Sequence, residues 1–394
     1  MIMSSEKIPS IAFSPHPRSG HVLISGGRLQ ALLPLVLDGG HEADGGGITY
    51  SDYLDTIRCA ILNHWRSFRV ALVRRGANPR TRVERIEIRS EKHGSDYHPA
   101  RIRAVTSSGV FSFVMNVALT NRGRARLPRE FRTLMNLARG QTQGFVPEVY
   151  FMCSGRLGSE EEGVARPAMF LAEWLESYHE FHLSRTGQED STRLVLWDGD
   201  QGYGAVSRSV TAEIFRQAAY ILTTYYDVKT FREVSPWHHA SGDFVVGRPV
   251  GNIRVKLIAA RQYAPRVVFK AKSPDNPMTA LQLFFANLSV RMRLDRIDGI
   301  GEVCWAGGHC LDATIRGFLD ALHEKARQDP YCRTLPDEFL RSMREMSPSE
   351  LAELFGLVVA AYDDDAPDVP VIRENLVQHI LEVYRAFRDL PYSP

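Results

Sequence analysis

Val110–Ala138 reads VFSFVMNVALTNRGRARLPREFRTLMNLA, and it holds a change of period. Val110–Thr120 is an apolar run rich in strand-forming residues, entered through the turn Ser107-Ser108-Gly109. Leu127–Ala138 then takes up helical spacing, with Pro128 suited to a first helical turn. Upstream, Val83, Ile86 and Ile88 mark one strand, and Ile102 with Val105 a second. Downstream, Phe145–Met152 and Ala168–Trp174 are the next strand candidates. The expected order is strand, strand, strand, helix, strand, strand.

Further out the pattern is mostly helical. Tyr53, Leu54, Ile57, Ala60, Ile61, Trp65 and Phe68 recur on one face of an amphipathic helix from Ser51 to about Arg75. Beyond the strands, Val210–Asp227, Met278–Arg293, Leu311–Ala326, Ser347–Tyr362 and Ile372–Phe387 predict helices. Ser347-Pro-Ser-Glu350 has the form of a capping box. Phe244–Val246 and Ile253–Ala259 predict a short hairpin around Gly247-Arg248-Pro249. The fold class expected is α+β, as an N-terminal extension (1–80), a small β-rich lobe (81–175) and a helical lobe with C-terminal helices (176–394).

The composition narrows the function classes. Of 394 residues, 44% are apolar and 24% charged, ordinary for a globular chain. Lys plus Arg is 48 against 46 for Asp plus Glu, so the net charge of +2 gives no general attraction to nucleic acid or anionic membranes. The five cysteines are never spaced C-x-x-C, which argues against a disulfide scaffold or a Cys₄ zinc site. The opening MIMSSEKIPS lacks a basic head and apolar core, so no secretory signal is expected and the expected location is cytoplasmic. Arg66, Arg69, Arg74, Arg75, Arg80, Arg82, Arg85 and Arg89 face only Glu84 and Glu87 in their own window. That local excess suits a solvated surface, or else a phosphorylated ligand, RNA or an acidic partner.

The element order, with Pro236-Trp-His-His-Ala-Ser-Gly-Asp243-Phe-Val-Val246 after a long helix, resembles the protein-kinase-like fold. It is most similar to the aminoglycoside and choline phosphotransferase branch, over roughly Val83 to Ala326. The resemblance implies a two-lobed protein, with ATP and Mg²⁺ as cofactors and a small-molecule or protein acceptor. It implies that Glu130 on the helix, with Lys92 from the loop Glu91–Pro99, organises the phosphates. Asn116 falls near the expected strand lysine, and Glu173 ends the strand that would meet the adenine.

Two alignments of the catalytic loop are open. One makes Asp243 the base and leaves Arg248 where a metal-binding Asn belongs. The other, favoured by loop length, makes Asp243 a Mg²⁺ ligand and His238 or His239 the base or positioning group. Ala259 stands where the resemblance places the main metal-binding aspartate, and Asp295 and Asp298 are the acids that could replace it.

The function expected is therefore a divergent ATP-dependent phosphotransferase. The alternative is a pseudokinase that binds a ligand or partner without phosphoryl transfer. A third reading uses His179, His182, His238 and His239 as a metal site. No membrane or nucleic-acid partner is expected.

Overall fold

The computed structural model describes residues 9–14, 29–33, 35–36, 42–43, 47–91, 97–140, 143–156, 166–185, 192–198, 202–238, 242–248, 252–270, 273 and 276–390. The chain is α+β and divides into two compact units. The first takes its residues from 1–142 and 147–176, the second from 143–146 and 177–394.

The first unit contains β1 (Ser10–Ser14), β2 (Leu35–Val36), β3 (Glu42–Ala43), α1 (Tyr50–Asn63), α2 (Trp65–Arg74), β4 (Val83–Ser90), β5 (His98–Thr106), β6 (Gly109–Ala118), α3 (Asn121–Gly140), β7 (Val149–Ser154) and β8 (Ala168–Glu173). Six strands form one sheet in the order β1-β4-β5-β6-β8-β7, and β1 alone pairs in parallel, with β4.

Side chains alternate between the two faces of a strand. Phe113, Met115 and Val117 of β6 therefore point with Ile86, Ile88, Ile102, Met169 and Leu171 to one face. There they bury Leu54, Ile57, Ile61 and Phe68 of α1 and α2. Phe170 lies between Met169 and Leu171, so it faces the other way and meets Phe131 of α3, with ring centroids 5.8 Å apart. The sheet is thus covered on opposite faces by α1–α2 and by α3. Residues before 81 contribute to its core instead of standing apart as an extension.

Local chemistry also moves two helix boundaries. The expected helix over Ser51–Arg75 is broken at His64, and its cap is Thr49, whose hydroxyl accepts the Asp52 N–H while the Asp52 carboxylate accepts the Thr49 N–H. The helix after β6 begins at Asn121, not near Pro128, and Pro128 lies inside it. Thr120 starts that helix, its hydroxyl accepting the Gly123 N–H and its carbonyl the Arg124 N–H.

The second unit contains β9 (Tyr178–His179), β10 (Phe181–Arg185), β11 (Thr192–Asp198), β12 (Gly202–Ala205), α4 (Arg208–Tyr225), β13 (Arg232–Val234), β14 (Phe244–Gly247), β15 (Arg254–Leu257), β16 (Tyr263–Pro265), α5 (Asn276–Met292), β17 (Leu294–Arg296), β18 (Val303–Trp305), α6 (Gly308–Gln328), α7 (Leu335–Glu345), α8 (Pro348–Ala360) and α9 (Asp368–Asp389). Its helical core is aromatic. Phe285 of α5 lies 5.0 Å from Phe318, 5.6 Å from Phe339 and 5.3 Å from Phe387, ring to ring. The Ser347–Glu350 capping box opens α8.

The predicted hairpin is present as β14–β15, extended by β9 into three strands. The segment 176–205, where no strand was expected before the long helix, forms β9 and the antiparallel sheet β10-β11-β12.

Candidate functional site

The candidate loop of the second unit runs into β14, and burial holds both of its ends. Trp237 is buried edge-on to Phe244, with centroids 6.0 Å apart. Gly242 has φ +71°, and a Cβ there would stand 2.9 Å from Oε1 of Glu180. The left-handed backbone favours glycine there, and the Glu180 carboxylate, the far end of a flexible side chain, packs against it.

Asp243 follows with a side chain only 1% exposed, so its charge must be answered internally. Arg261, just beyond β15, answers it with one guanidinium nitrogen 2.5 Å from Oδ2 and the other 2.7 Å from Oδ1. Oδ2 also accepts the backbone N–H of His238 at 2.7 Å. The Asp243 carbonyl accepts the Ile258 N–H, continuing the hairpin ladder. The carboxylate therefore locks the loop to the hairpin through a two-pronged, charge-assisted pair. A carboxylate so engaged does not offer the open oxygens that Mg²⁺ needs, and Ala259 supplies none.

His238 brings its imidazole to a second acid. Its Nε2 is 3.6 Å from Oδ2 of Asp368, the first residue of α9, and this contact holds the Asp368 carboxyl below its usual range. Arg291, in the last turn of α5, donates to the Trp237 carbonyl at 3.1 Å and stacks near the Trp237 and Tyr362 rings.

Asp295 is wholly buried and accepts the backbone N–H groups of Leu183 and Arg296. It stands 3.6 Å from Nδ1 of His182, whose Nε2 is 3.4 Å from Glu180. Burial disfavours the charged imidazole, but the neighbouring Asp295 and Glu180 carboxylates outweigh it and lift His182 to about 9. Asp298 lies in a turn with φ 54°. His179 pairs through its backbone with Val246. His179, His182 and His238 thus form no metal-holding group among the described residues. His182 and His238 have different carboxylate partners, and His239 lies outside the described residues. Among the described residues no group of three or more His, Cys, Asp or Glu side chains is arranged to hold a metal ion.

In the first unit, Asn116 is paired in register with Phe170 and shares the sheet face covered by α3. Glu130 of α3 is 2% exposed. Glu173 at the end of β8 is engaged by Arg75 at 2.6 Å and accepts the Glu148 N–H at 3.2 Å. Lys92 lies outside the described residues.

The arginine cluster meets acids both within and beyond its own sequence window. Arg74 pairs with Glu148, Arg75 with Glu173, Arg85 with Glu87 and Arg89 with Glu91. Arg101 and Arg103, on β5, pair with Glu176 and Glu87.

No family model matches the chain. A stretch of 107 residues is 25% identical to the sodium-dependent nutrient amino acid transporter 1 of Drosophila virilis, covering 26% of this chain and 17% of the transporter. The chain therefore spans less than a fifth of that relative's length. Among the described residues no helix is long and apolar enough to cross a membrane.

Proposed function

We propose that this chain is a kinase-like α+β protein that binds a nucleotide, or a partner in its place, and does not transfer a phosphoryl group. Support for the kinase-like part comes from three strands, a helix and two further strands in one six-stranded sheet, with Glu130 buried on that helix. Within the second unit, a loop held by Trp237 leads into the hairpin β14–β15.

The observation that carries the binding-only reading is the Arg261–Asp243 pair. The resemblance gives Asp243 the metal-ligand position, and a guanidinium engages both of its oxygens there. Mg²⁺ does not fit this donor set. With alanine at 259 and asparagine at 116, the two other charged groups of the phosphotransferase pattern are also missing. His238, the alternative base, is turned to Asp368.

The test is a thermal-shift titration with ATP, with and without Mg²⁺, run beside an ADP-release assay using small alcohols, aminoglycosides and the chain itself as acceptors. The expected result is a nucleotide-dependent rise in melting temperature that Mg²⁺ does not enhance, with no ADP formed. ADP release that vanishes in a folded Asp243→Ala variant would establish the phosphotransferase instead.

A further inference from the structure

The run Leu119–Pro147 holds six arginines and a single acid, Glu130. Most of it is α3, whose period sorts these charges by face. Leu127, Leu134 and Leu137 are buried, and Phe131 meets Phe170 of the sheet. The acid goes with them, since Glu130 is 2% exposed. Arg122, Arg126, Arg129, Arg132 and Arg139 are exposed, and the exposed Asn136 fills the gap in their helical spacing. The outer face of α3 is therefore a ridge about 25 Å long that carries no acidic side chain.

Arginines elsewhere in the first unit find acids. Arg74, Arg75, Arg85, Arg89, Arg101 and Arg103 each meet a glutamate. On α3, Arg129, Arg132 and Arg139 have no carboxylate within 4 Å among the described residues. Arg132 donates Nε to the Pro128 carbonyl one turn back at 3.1 Å, which steadies its stem and leaves its charge unneutralised. The net charge of +2 conceals this excess because it is confined to one helix face.

The chemistry of the ridge selects its occupant. A helix that lies in a membrane surface needs an apolar face to insert, and none of α3's large apolar side chains is exposed. Protein interfaces are anchored by a packed aromatic or aliphatic centre, which this ridge lacks. Single strands stack on exposed aromatics, and the one aromatic of α3 is taken by Phe170. A duplex backbone asks only for cations along a line. About 25 Å of duplex axis carries about 15 phosphate charges, and guanidinium forks match phosphate oxygens.

We infer that the outer face of α3 binds double-stranded nucleic acid through its phosphates, with Arg129, Arg132 and Arg139 as contacts, and without reading base sequence. The inference uses the first unit alone and does not depend on the kinase-like reading.

The test is fluorescence anisotropy of the full chain with a labelled DNA duplex of about 20 base pairs, between about 50 and 200 mM NaCl. Saturable binding is expected, with log K falling against log salt at a slope of about −2.7 or steeper, for three or more phosphates. Arg129→Gln, Arg132→Gln and Arg139→Gln together should flatten that slope by about 2.7 and weaken binding by about tenfold or more. Arg66→Gln, Arg80→Gln and Arg82→Gln together remove the same charge from exposed positions of the same unit and should leave the slope unchanged.

Absence of saturable duplex binding at the lowest salt would overturn the inference. So would an unchanged slope in an α3 variant whose circular dichroism matches the parent, or equal flattening in the second variant. A glutamate oligomer of matching charge that binds more tightly than the duplex would make the partner an acidic protein instead.

Discussion

The guanidinium of Arg261 straddles the carboxylate of Asp243, one nitrogen to each oxygen, across 18 residues of chain. Removing one partner of a buried pair leaves the other with an unanswered charge. Arg261→Ala should lower the unfolding free energy by about 3–5 kcal/mol, read from urea melts. Replacing both residues, as Asp243→Leu with Arg261→Met, should cost clearly less than that single change. A double variant as unstable as Arg261→Ala would show that the pair is not the main contact fixing this loop.

His182 gives the fold a signature at alkaline pH. Its folded-state value of about 9 exceeds the ordinary 6.5, so the charged ring is stabilised by folding. That stabilisation is complete below pH 6.5 and is lost as the pH rises through 9. His182→Gln should therefore be less stable than the parent by about 2–3 kcal/mol at pH 6, with the gap closing above pH 9. Melting curves at intervals across that window are the measurement, and a gap independent of pH would exclude the ionic explanation.

Glu233 of β13 behaves in the opposite sense. Burial raises its carboxyl to about 7 from 4.5, and Arg266 at 3.7 Å only partly offsets this. The folded state then holds a proton that the unfolded chain releases, so stability falls between pH 4.5 and 7 and stays lower above it. Glu233→Gln should raise the melting temperature at pH 8, by up to about 3 kcal/mol of stability, and make little difference at pH 4. Equal effects at both values would refute the buried-carboxyl assignment.

Helix packing in the second unit turns on Gly317. A Cβ on this residue of α6 would overlap the carbonyl oxygen of Arg216 on α4, a backbone atom that cannot rotate away. Gly317→Ala should cost about 1–3 kcal/mol or more. Gly356 on α8 is exposed with open space around it, so Gly356→Ala should stabilise the chain by up to about 1 kcal/mol. Calorimetric melts of the two variants should move in opposite directions.

The parts of the fold written in local periodicity were readable from sequence. VFSFVMNVA is a strand because Phe113, Met115 and Val117 share a buried face, and Ser347 with Glu350 caps a helix as its spacing predicts. The sheet β10-β11-β12 escaped because its strands are short and interrupted. FHLSR and GYGA contain too few alternating apolar residues to mark themselves as strands. At the candidate site, sequence selected Asp243 and His238 but not their partners. Arg261 lies two positions beyond the predicted strand Ile253–Ala259, and Asp368 lies 130 positions from His238. The arginine cluster was similarly opaque, because Glu148 and Glu173 reach it from 74 and 98 residues away. Charge neutralisation of that kind is a property of tertiary pairing and leaves no trace in a sequence window.

The parallel pairing of Ser10–Ser14 with Arg85–Arg89 has a consequence for self-association. A strip of five residues, with Ile11 and Phe13 half tucked into the core, covers the flank of β4. Peeling it back would uncover a row of unpaired amides and carbonyls on a sheet otherwise laid down antiparallel, a template on which another chain could grow. Whether this protein stays as separate molecules in concentrated solution therefore depends on how firmly its tenth to fourteenth residues hold their place.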